Sequence, residues 1–540
     1  MQSAFRIKDE FGRTRQLSVK QAMEEASAKL TRGENQGALS LLEKVIHFVP
    51  FNPRIWHAVG EAQTTNGKTE DAIQTLQKVV SADRTNADYR FSLAKALMPS
   101  RPAEAIPHLL ATIALDTAHG KPRPDPYCDL AVILIHRNQR EEALKVCDLG
   151  LHNCPDNAEI LCNRGLALAL FDRYEEALAC GLRARDLRPG NAIIWSNLGT
   201  HFYNLERVQE AEECARQACA LESDLPGAHY NLATSLLVAG HFREGFREYE
   251  WRWKSVLQEH VRTYAQPLWD GADLAGKRIL LWAEQGMGDA IQFVRYAAQV
   301  RSRGGDVLLE MPKSLVRLMS WMPERFEIVT PNSGAPQFDV QCPLLSLPWL
   351  CGTEKDSIPA PASFCIPDEM RRKWAQKLAG AQSPKIALIW AGSPTHGNDR
   401  NRSIPLRAFL PILNLPGLRF FSLQVGPASA QLYEPGFSSQ IEDLSPLLTD
   451  YAETAGALSQ MDLVISVDTS VVHLAGSLGV PVWTLLPFAP DWRWMLHRTD
   501  SPWYSSLRLF RQQTPGDWST VINKVALELS NAGQPAPDKV

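Results

Sequence analysis

Small apolar residues return through the first half of the chain at one phase: Ala38, Ala72, Ala105, Ala143, Ala177, Ala211 and Gly245, with steps of 34, 33, 38, 34, 34 and 34. Around each of them the pattern is that of two short helices joined by a turn. In the unit 158–191, Gly165 on the first helix and Ala177 on the second are small where helices must cross, and Pro189 closes the turn. The next unit repeats this with Trp195, Leu198, Gly199, Ala211 and Ala218. Two helices approach closely only where their side chains are short, so the recurrence is a packing requirement. Units start near Val19, Pro53, Ala87, Pro124, Ala158, Ala192 and Pro226. The irregular step of 38 comes from Thr117–Pro126, rich in Pro and Gly, which reads as an inserted loop. The pattern ends at Phe246–Lys254, where Tyr249, Trp251 and Trp253 alternate with charged residues. An aromatic cluster there needs a covering surface, and we take it as the joint with the second half.

These are the marks of tetratricopeptide repeats, helical units that stack into a solenoid with a concave surface suited to another polypeptide. From Lys277 the pattern changes to short apolar strands alternating with helices. Strands are expected at Arg278–Ala283, Asp306–Met311 and Phe326–Val329, with a helix at Asp289–Arg303. After the proline-rich stretch Pro359–Pro367 and a helix at Glu369–Leu378, a second series follows. Its strands are Lys385–Trp390, Arg419–Leu423, Leu463–Val467 and Val480–Leu485. Such alternation predicts two parallel, doubly wound sheets, with ligands at the carboxyl ends of the strands.

Composition narrows the class. A chain of 540 residues is too long for one core. A net charge of −4 gives no reason to expect a nucleic-acid or membrane-binding surface, and no apolar run approaches the ~20 residues of a membrane span. Met1–Arg6 carries no hydrophobic stretch, and the ten cysteines form neither a Cys-x-x-Cys pair nor a zinc spacing. Reduced thiols in a cytoplasmic protein are expected, with no metal site.

Three segments could carry chemistry. Glu284-Gln285-Gly286-Met287-Gly288-Asp289 follows the first strand of the first series. Asp289 there is either a helix cap or a general base at a strand's carboxyl end. Ser466-Val467-Asp468-Thr469-Ser470-Val471-Val472-His473 runs from a buried strand into a helix, whose free N–H groups would suit a diphosphate. Thr469 and His473 share a helix face. Either His473 reaches that anion, or Asp468, Thr469 and Ser470 cap the helix while His473 packs inward. Trp390-Ala391-Gly392-Ser393 ends another strand, and the loop after it holds Arg400 and Arg402, able to neutralise a leaving phosphate. The tryptophans Trp483, Trp492, Trp494 and Trp503 either pack or stack on a base or sugar.

In this order the three segments resemble the heptosyltransferase-like glycosyltransferases of family 9, two-lobed GT-B enzymes. The resemblance covers roughly residues 277–529. It implies that Asp289 after Gly288 is the base for the acceptor hydroxyl, and that Asp468, Thr469 and His473 hold donor phosphate and ribose. The family's usual Lys, two places before Pro, is matched here by Arg402. The expected donor-binding set is therefore Gly392, Ser393, Arg400, Arg402, Gln424, Asp468, Thr469, Ser470 and His473, with Gln285, Gly286 and Gly288 as the acceptor loop. In such enzymes the last helix, here Asp517–Leu529, crosses back onto the first lobe. No Asp-x-Asp triplet occurs, so no cofactor or metal is expected beyond the nucleotide-sugar co-substrate.

The layout is also similar to bacterial tetratricopeptide-repeat glycosyltransferases, including those that modify flagellin, and in architecture to O-GlcNAc transferases. That implies a protein acceptor in the repeat groove, flagellin being one candidate. Asn163, Asn197 and Asn231 recur 34 residues apart, either as an asparagine ladder for a peptide or as a residue merely common at that position. The expected fold is an all-α superhelix followed by an α/β GT-B half. Its parts are an extension (1–18), a solenoid (19–257), a linker (258–276), an acceptor-side lobe (277–383) and a nucleotide-sugar lobe (384–540). Two alternatives stay open: a scaffold with an inactive transferase half, and a transferase acting on a glycan or lipid-linked saccharide. The donor is equally open among ADP-heptose, UDP-hexoses and CMP-nonulosonic acids.

Overall fold

A computed structural model describes residues 4–8, 14–48, 51–258, 261–262, 264–331, 333–334, 336–380 and 384–532. The chain divides into two compact units, Met1–His201 and Phe202–Val540.

The first unit opens with an antiparallel hairpin of β1 (Ala4–Lys8) and β2 (Thr14–Ser18). Helix pairs follow, the first members starting at Val19, Pro53, Ala87, Asp125, Ala158 and Ala192. Asparagine carboxamides at Asn52, Asn86, Asn157 and Asn191 accept from the first backbone N–H groups of four of these helices. Each thereby satisfies a donor that the helix start leaves orphaned. Ala38, Ala72, Ala105, Ala143 and Ala177 are fully buried at the crossings. A Cβ on Gly165 would stand 2.8 Å from His201 Nε2 and 3.1 Å from the Ala177 carbonyl, so this crossing admits no side chain. Part of the extra length in the irregular repeat lies in helix: Pro102–Ala118 has 17 residues where the other second helices have 14.

The second unit begins inside the last repeats, with helices Val208–Leu221, Pro226–Ala239 and Phe242–Glu248. Phe242, Phe246 and Tyr249 enter one core with Trp492 and Trp503, while Trp251 and Trp253 stay half-buried, stacked on His229 and packed against Trp282 respectively.

Two all-parallel sheets follow. The first holds β3 (Arg278–Trp282), β4 (Asp306–Glu310), β5 (Glu327–Val329) and β6 (Val340–Pro343) in the order β5-β4-β3-β6. The second holds β7 (Lys385–Ile389), β8 (Arg419–Ser422), β9 (Ile441–Asp443), β10 (Leu463–Val467), β11 (Val482–Leu486) and β12 (Leu507–Arg511). Its order, β12-β11-β10-β7-β8-β9, is the 3-2-1-4-5-6 order of doubly wound dinucleotide folds. The switch points, where consecutive connections leave in opposite directions, lie between β3 and β6 and between β7 and β10.

The helix expected at Asp289–Arg303 is broken, running Met287–Phe293, then a 3-10 turn at Val294–Tyr296, then Ala297–Ser302. The expectation that the last helix crosses onto the first sheet's lobe is corrected. Helix Trp518–Ala532 packs Val521, Ile522, Val525 and Leu529 against Leu406, Phe409, Ile412 and Leu413, all within the second sheet's own layer. The crossing is made instead by the loop between β11 and β12, as the Arg493–Asp289 pair and the Arg295 bond to the Trp503 carbonyl require. No helix among the described residues is long and apolar enough to cross a membrane.

Candidate functional site

The two switch points meet. Past β3 the chain turns through Gly286, whose N–H donates to Asp289 Oδ2 at 2.8 Å and so starts helix Met287–Phe293. Past β10, Thr469 is the N-cap of helix Ser470–Ser477. Gly288 lies directly on that helix: a Cβ there would stand 2.8 Å from His473 Cδ2 and 3.2 Å from Ser470 Cα. Asp289 and Thr469 therefore border one region, at the carboxyl ends of strands from both sheets.

The second helix start is left open by its own side chains. Thr469 makes no side-chain cap bond; its hydroxyl lies 3.2 Å from Ser466 Oγ. Ser470 Oγ is 2.7 Å from the Tyr451 hydroxyl. Of the reading in which Asp468, Thr469 and Ser470 cap the helix while His473 packs inward, the inward histidine is found, whereas the N-cap Thr469 makes no side-chain cap bond, so the Ser470 and Val471 N–H groups are left for an anion. His473 turns inward, 5% exposed, with Nδ1 3.2 Å from the Tyr504 hydroxyl and its ring stacked on Trp494. Burial, with Arg493 and Arg295 nearby, holds its pKa well below the usual imidazole value, so the ring is neutral at pH 7.

At the end of β7 a Cβ on Gly392 would meet Arg402 Nη2 and Asp399 Oδ1 at 2.5 Å each. Glycine here lets Arg402 fold back over the strand end, where its Nε donates to Asp399 Oδ1 at 3.2 Å. Gly392 N–H donates to Ser403 Oγ at 2.9 Å, closing the loop. Gln424 is buried, its Oε1 accepting from the N–H groups of Trp390 and Ala391 and its Nε2 donating to the Ala391 and Val425 carbonyls. Its carboxamide ties β7 to β8 and shapes the site from below. Ser393 and Arg400 are exposed at the rim, Ser393 Oγ lying 2.8 Å from Thr395 Oγ1. Gln285 Nε2 donates to the Tyr249 hydroxyl at 3.4 Å.

Charge is concentrated here. Asp289 Oδ1 is ion-paired to Arg493 Nη2 at 2.5 Å, and Arg493 Nη1 holds Asp491 Oδ1 at 2.9 Å. Loss of water around Asp468, and then the Asp491 carboxylate, push Asp468 up to about 6 against the pull of Arg402 and Arg493. Partial loss of water, and then the Arg402 cation, hold the His396 pKa below the ordinary imidazole value. Sequence reasoning missed Arg493 and Asp491; their one signal is the alternation of charge and tryptophan in Asp491-Trp492-Arg493-Trp494. It also missed the buried pair beneath. Arg252, with no exposed surface, donates to both oxygens of Glu284 at 3.0 and 3.1 Å, while Leu345 N–H donates to Glu284 Oε1 at 2.9 Å. Burial raises the Glu284 pKa, and Arg252 opposes the rise.

The asparagines of the repeats are partnered. Asn163 Nδ2 donates to the Cys128 carbonyl at 3.3 Å and Asn197 Nδ2 to Cys162 Sγ at 3.1 Å, in each case to the preceding repeat of the first unit. Asn231 is half-buried, and its carbonyl accepts from Thr234 Oγ1.

Comparisons with known proteins agree with the repeat half. A tetratricopeptide-repeat family model matches residues 23–87. The chain is similar to the protein FlbA of Caulobacter vibrioides, 26% identical over 437 residues, which cover 74% of this chain and 72% of that one. A match of that length exceeds the repeat array and reaches into the α/β half. The peroxisomal targeting signal receptor of Candida albicans is 23% identical over 194 residues, 35% of this chain and 33% of the receptor, so only about a third of that receptor's length is spanned. Among solved structures, a tetratricopeptide-repeat protein from Parabacteroides merdae matches at 11% identity with TM-score 0.38, covering 43% of this chain and 91% of that one. YrrB, described as a repeat protein with an unusual peptide-binding site, matches at 18% identity with TM-score 0.28, covering 35% and 95%. At scores this low neither likeness supports anything further. The first half is a tetratricopeptide array, an architecture that binds protein partners.

Proposed function

We propose that the chain is a metal-independent glycosyltransferase of GT-B type, taking a sugar from a nucleotide-sugar and passing it to a Ser or Thr hydroxyl of a protein presented by the repeats. One observation carries the reading: Gly288, next to Asp289 at the first switch point, lies against the start of helix Ser470–Ser477 at the second. The open N–H groups of that helix and Arg402 would take the charge of the departing nucleotide. Asp289 would accept the proton of the attacking hydroxyl as the oxygen bonds to the anomeric carbon and the bond to phosphate breaks, with inversion. Each Asp289 oxygen carries one observed hydrogen bond and keeps a second lone pair for that proton. His473, neutral and inward, would set the helix against Gly288 rather than hold phosphate. The resemblance of the whole layout to repeat-bearing transferases supports a protein acceptor, with flagellin as one candidate, and the scattered unpaired cysteines support modification in the cytoplasm.

The test is a titration calorimetry panel of UDP-hexoses, ADP-heptose and CMP-nonulosonic acid, followed by transfer assays. Asp289→Ala should abolish transfer and leave donor affinity nearly intact; loss of donor affinity with transfer retained refutes that role. A second reading, a protein-binding scaffold with an inactive α/β half, draws on the internal pairing of Arg402 with Asp399 and of Arg493 with Asp289. It predicts no binding to any member of the panel.

A further inference from the structure

We infer that Arg493 is a positioning residue, which fixes the Asp289 carboxylate from the opposite sheet and ties it to the last repeat. This rests on the reading of Asp289 as the base. Arg493 is 6% exposed, and each face of its guanidinium fork has a separate partner. Nη2 donates to Asp289 Oδ1 at 2.5 Å, Nε to Gln292 Oε1 at 2.8 Å and Nη1 to Asp491 Oδ1 at 2.9 Å. The plane is held over the Trp492 ring at 4.3 Å and faces Phe293 at 5.6 Å. Asp491 by itself would neutralise the buried cation. The second carboxylate and the Gln292 acceptor come from helix Met287–Phe293, at the end of β3 in the other sheet. The base is therefore oriented by a group it does not share a lobe with, and is fully assembled only while the two lobes are together.

The loop that carries Arg493 is itself anchored on the last repeat helices. The Tyr203 hydroxyl donates to the Pro490 carbonyl at 3.2 Å, and Trp492 packs edge-on against Phe246 and Tyr249 at 5.5 and 6.0 Å. A Cβ on Gly240 would stand 2.9 Å from Met495 Cε. Met495 and His497 take φ of 49° and 53°, left-handed values that a non-glycine residue holds only when its surroundings impose them. The helices that follow Tyr203 thus reach Asp289 through three successive contacts: Trp492 on the repeat, Arg493 beside it, and the carboxylate.

The experiment measures release of nucleotide from whichever donor of the panel the wild type turns over, with donor affinity followed by calorimetry. Arg493→Met should lower kcat about 100-fold, within the range for a displaced general base, with donor Kd almost unchanged. Arg493→Lys keeps the charge but loses the fork, and should fall between Met and wild type; it also serves if the methionine variant misfolds. In an Asp289→Asn background, read on its residual nucleotide release, Arg493→Met should cost little further, because Arg493 acts through the Asp289 carboxylate. Fully additive losses, or weakened donor binding with kcat retained, overturn the positioning role. An active wild type with unaffected variants overturns it alone; a wild type inert towards every donor sinks the functional reading and this role together.

Discussion

Gly288→Ala puts the meeting of the two switch points under direct strain. Gly288 sits in helical backbone with no positive φ, so alanine meets no backbone strain, gains up to about 1 kcal/mol from its helix preference, and loses through the contacts of its Cβ. The new Cβ would stand 2.8 Å from His473 Cδ2 and 3.2 Å from Ser470 Cα, against the ~3.5–4.0 Å of a relaxed carbon contact. The histidine ring cannot simply swing aside, since Trp494 stacks on it and Tyr504 meets its Nδ1. The helix backbone at Ser470 must move by some tenths of an ångström, and overpacking of this kind costs about 1–3 kcal/mol. For the unit Phe202–Val540, at about 2.1 cal/mol/K per residue, that lowers the midpoint of its calorimetric transition by roughly 1.5–4 °C. Scanning calorimetry reads it, with Gly397→Ala as the control, because a Cβ at Gly397 meets nothing within 4 Å. In a His473→Ala background the penalty of Gly288→Ala should drop by about half or more, the signature of two residues in contact. If Gly288→Ala melts with the wild type, or loses as much with His473 removed, the two helix starts do not touch as described.

Other expectations follow from the same structure. Arg252→Leu leaves the Glu284 carboxylate buried without its cation and should cost about 3–5 kcal/mol in chemical denaturation; Glu284→Leu should cost less, because Arg252 keeps its ion pair with Glu250. Asp468 is pushed up to about 6 in the fold, above its unfolded value of about 3.9. The folded chain therefore holds the extra proton between those values, and this group's contribution to stability falls as pH rises through that window. Asp468→Asn lacks the effect, so its stability relative to wild type should rise as pH goes from about 4 to about 7.5. A pH-independent difference would contradict the assignment. Gly165→Ala, 2.8 Å from His201 Nε2, should destabilise the first unit by about 1–3 kcal/mol, read as an earlier circular-dichroism transition.

What the sequence made legible was whatever repeats or is buried on both faces. The phase of Ala38 to Gly245 marks residues with no room for a larger side chain, and the central strands β3, β7 and β10 are continuous apolar runs because helices cover both faces. The strands it missed, β6, β9 and β12, lie at sheet edges: β6 ends in Pro343, β9 has three residues, and β12 mixes two arginines among its apolar residues. Segments that short or mixed carry little pattern. Glycines at strand ends were visible, but why they are glycine was not: Gly288 and Gly392 are set by a neighbour from another element. Arg493 was invisible for the same reason, since its partners Asp289 and Gln292 lie some two hundred residues away. The resemblance gave the lobe crossing to the wrong segment, because the last helix has an apolar face that fits its own sheet's layer.

The most direct test is a crystal structure with the bound nucleotide of whichever donor calorimetry selects. Density should lie at the N-terminus of helix Ser470–Ser477, its phosphate within reach of the Ser470 and Val471 N–H groups and of Arg402, and its sugar end facing Asp289. A nucleotide bound at saturation elsewhere on the chain, with that helix start still open to solvent, would contradict the proposed site.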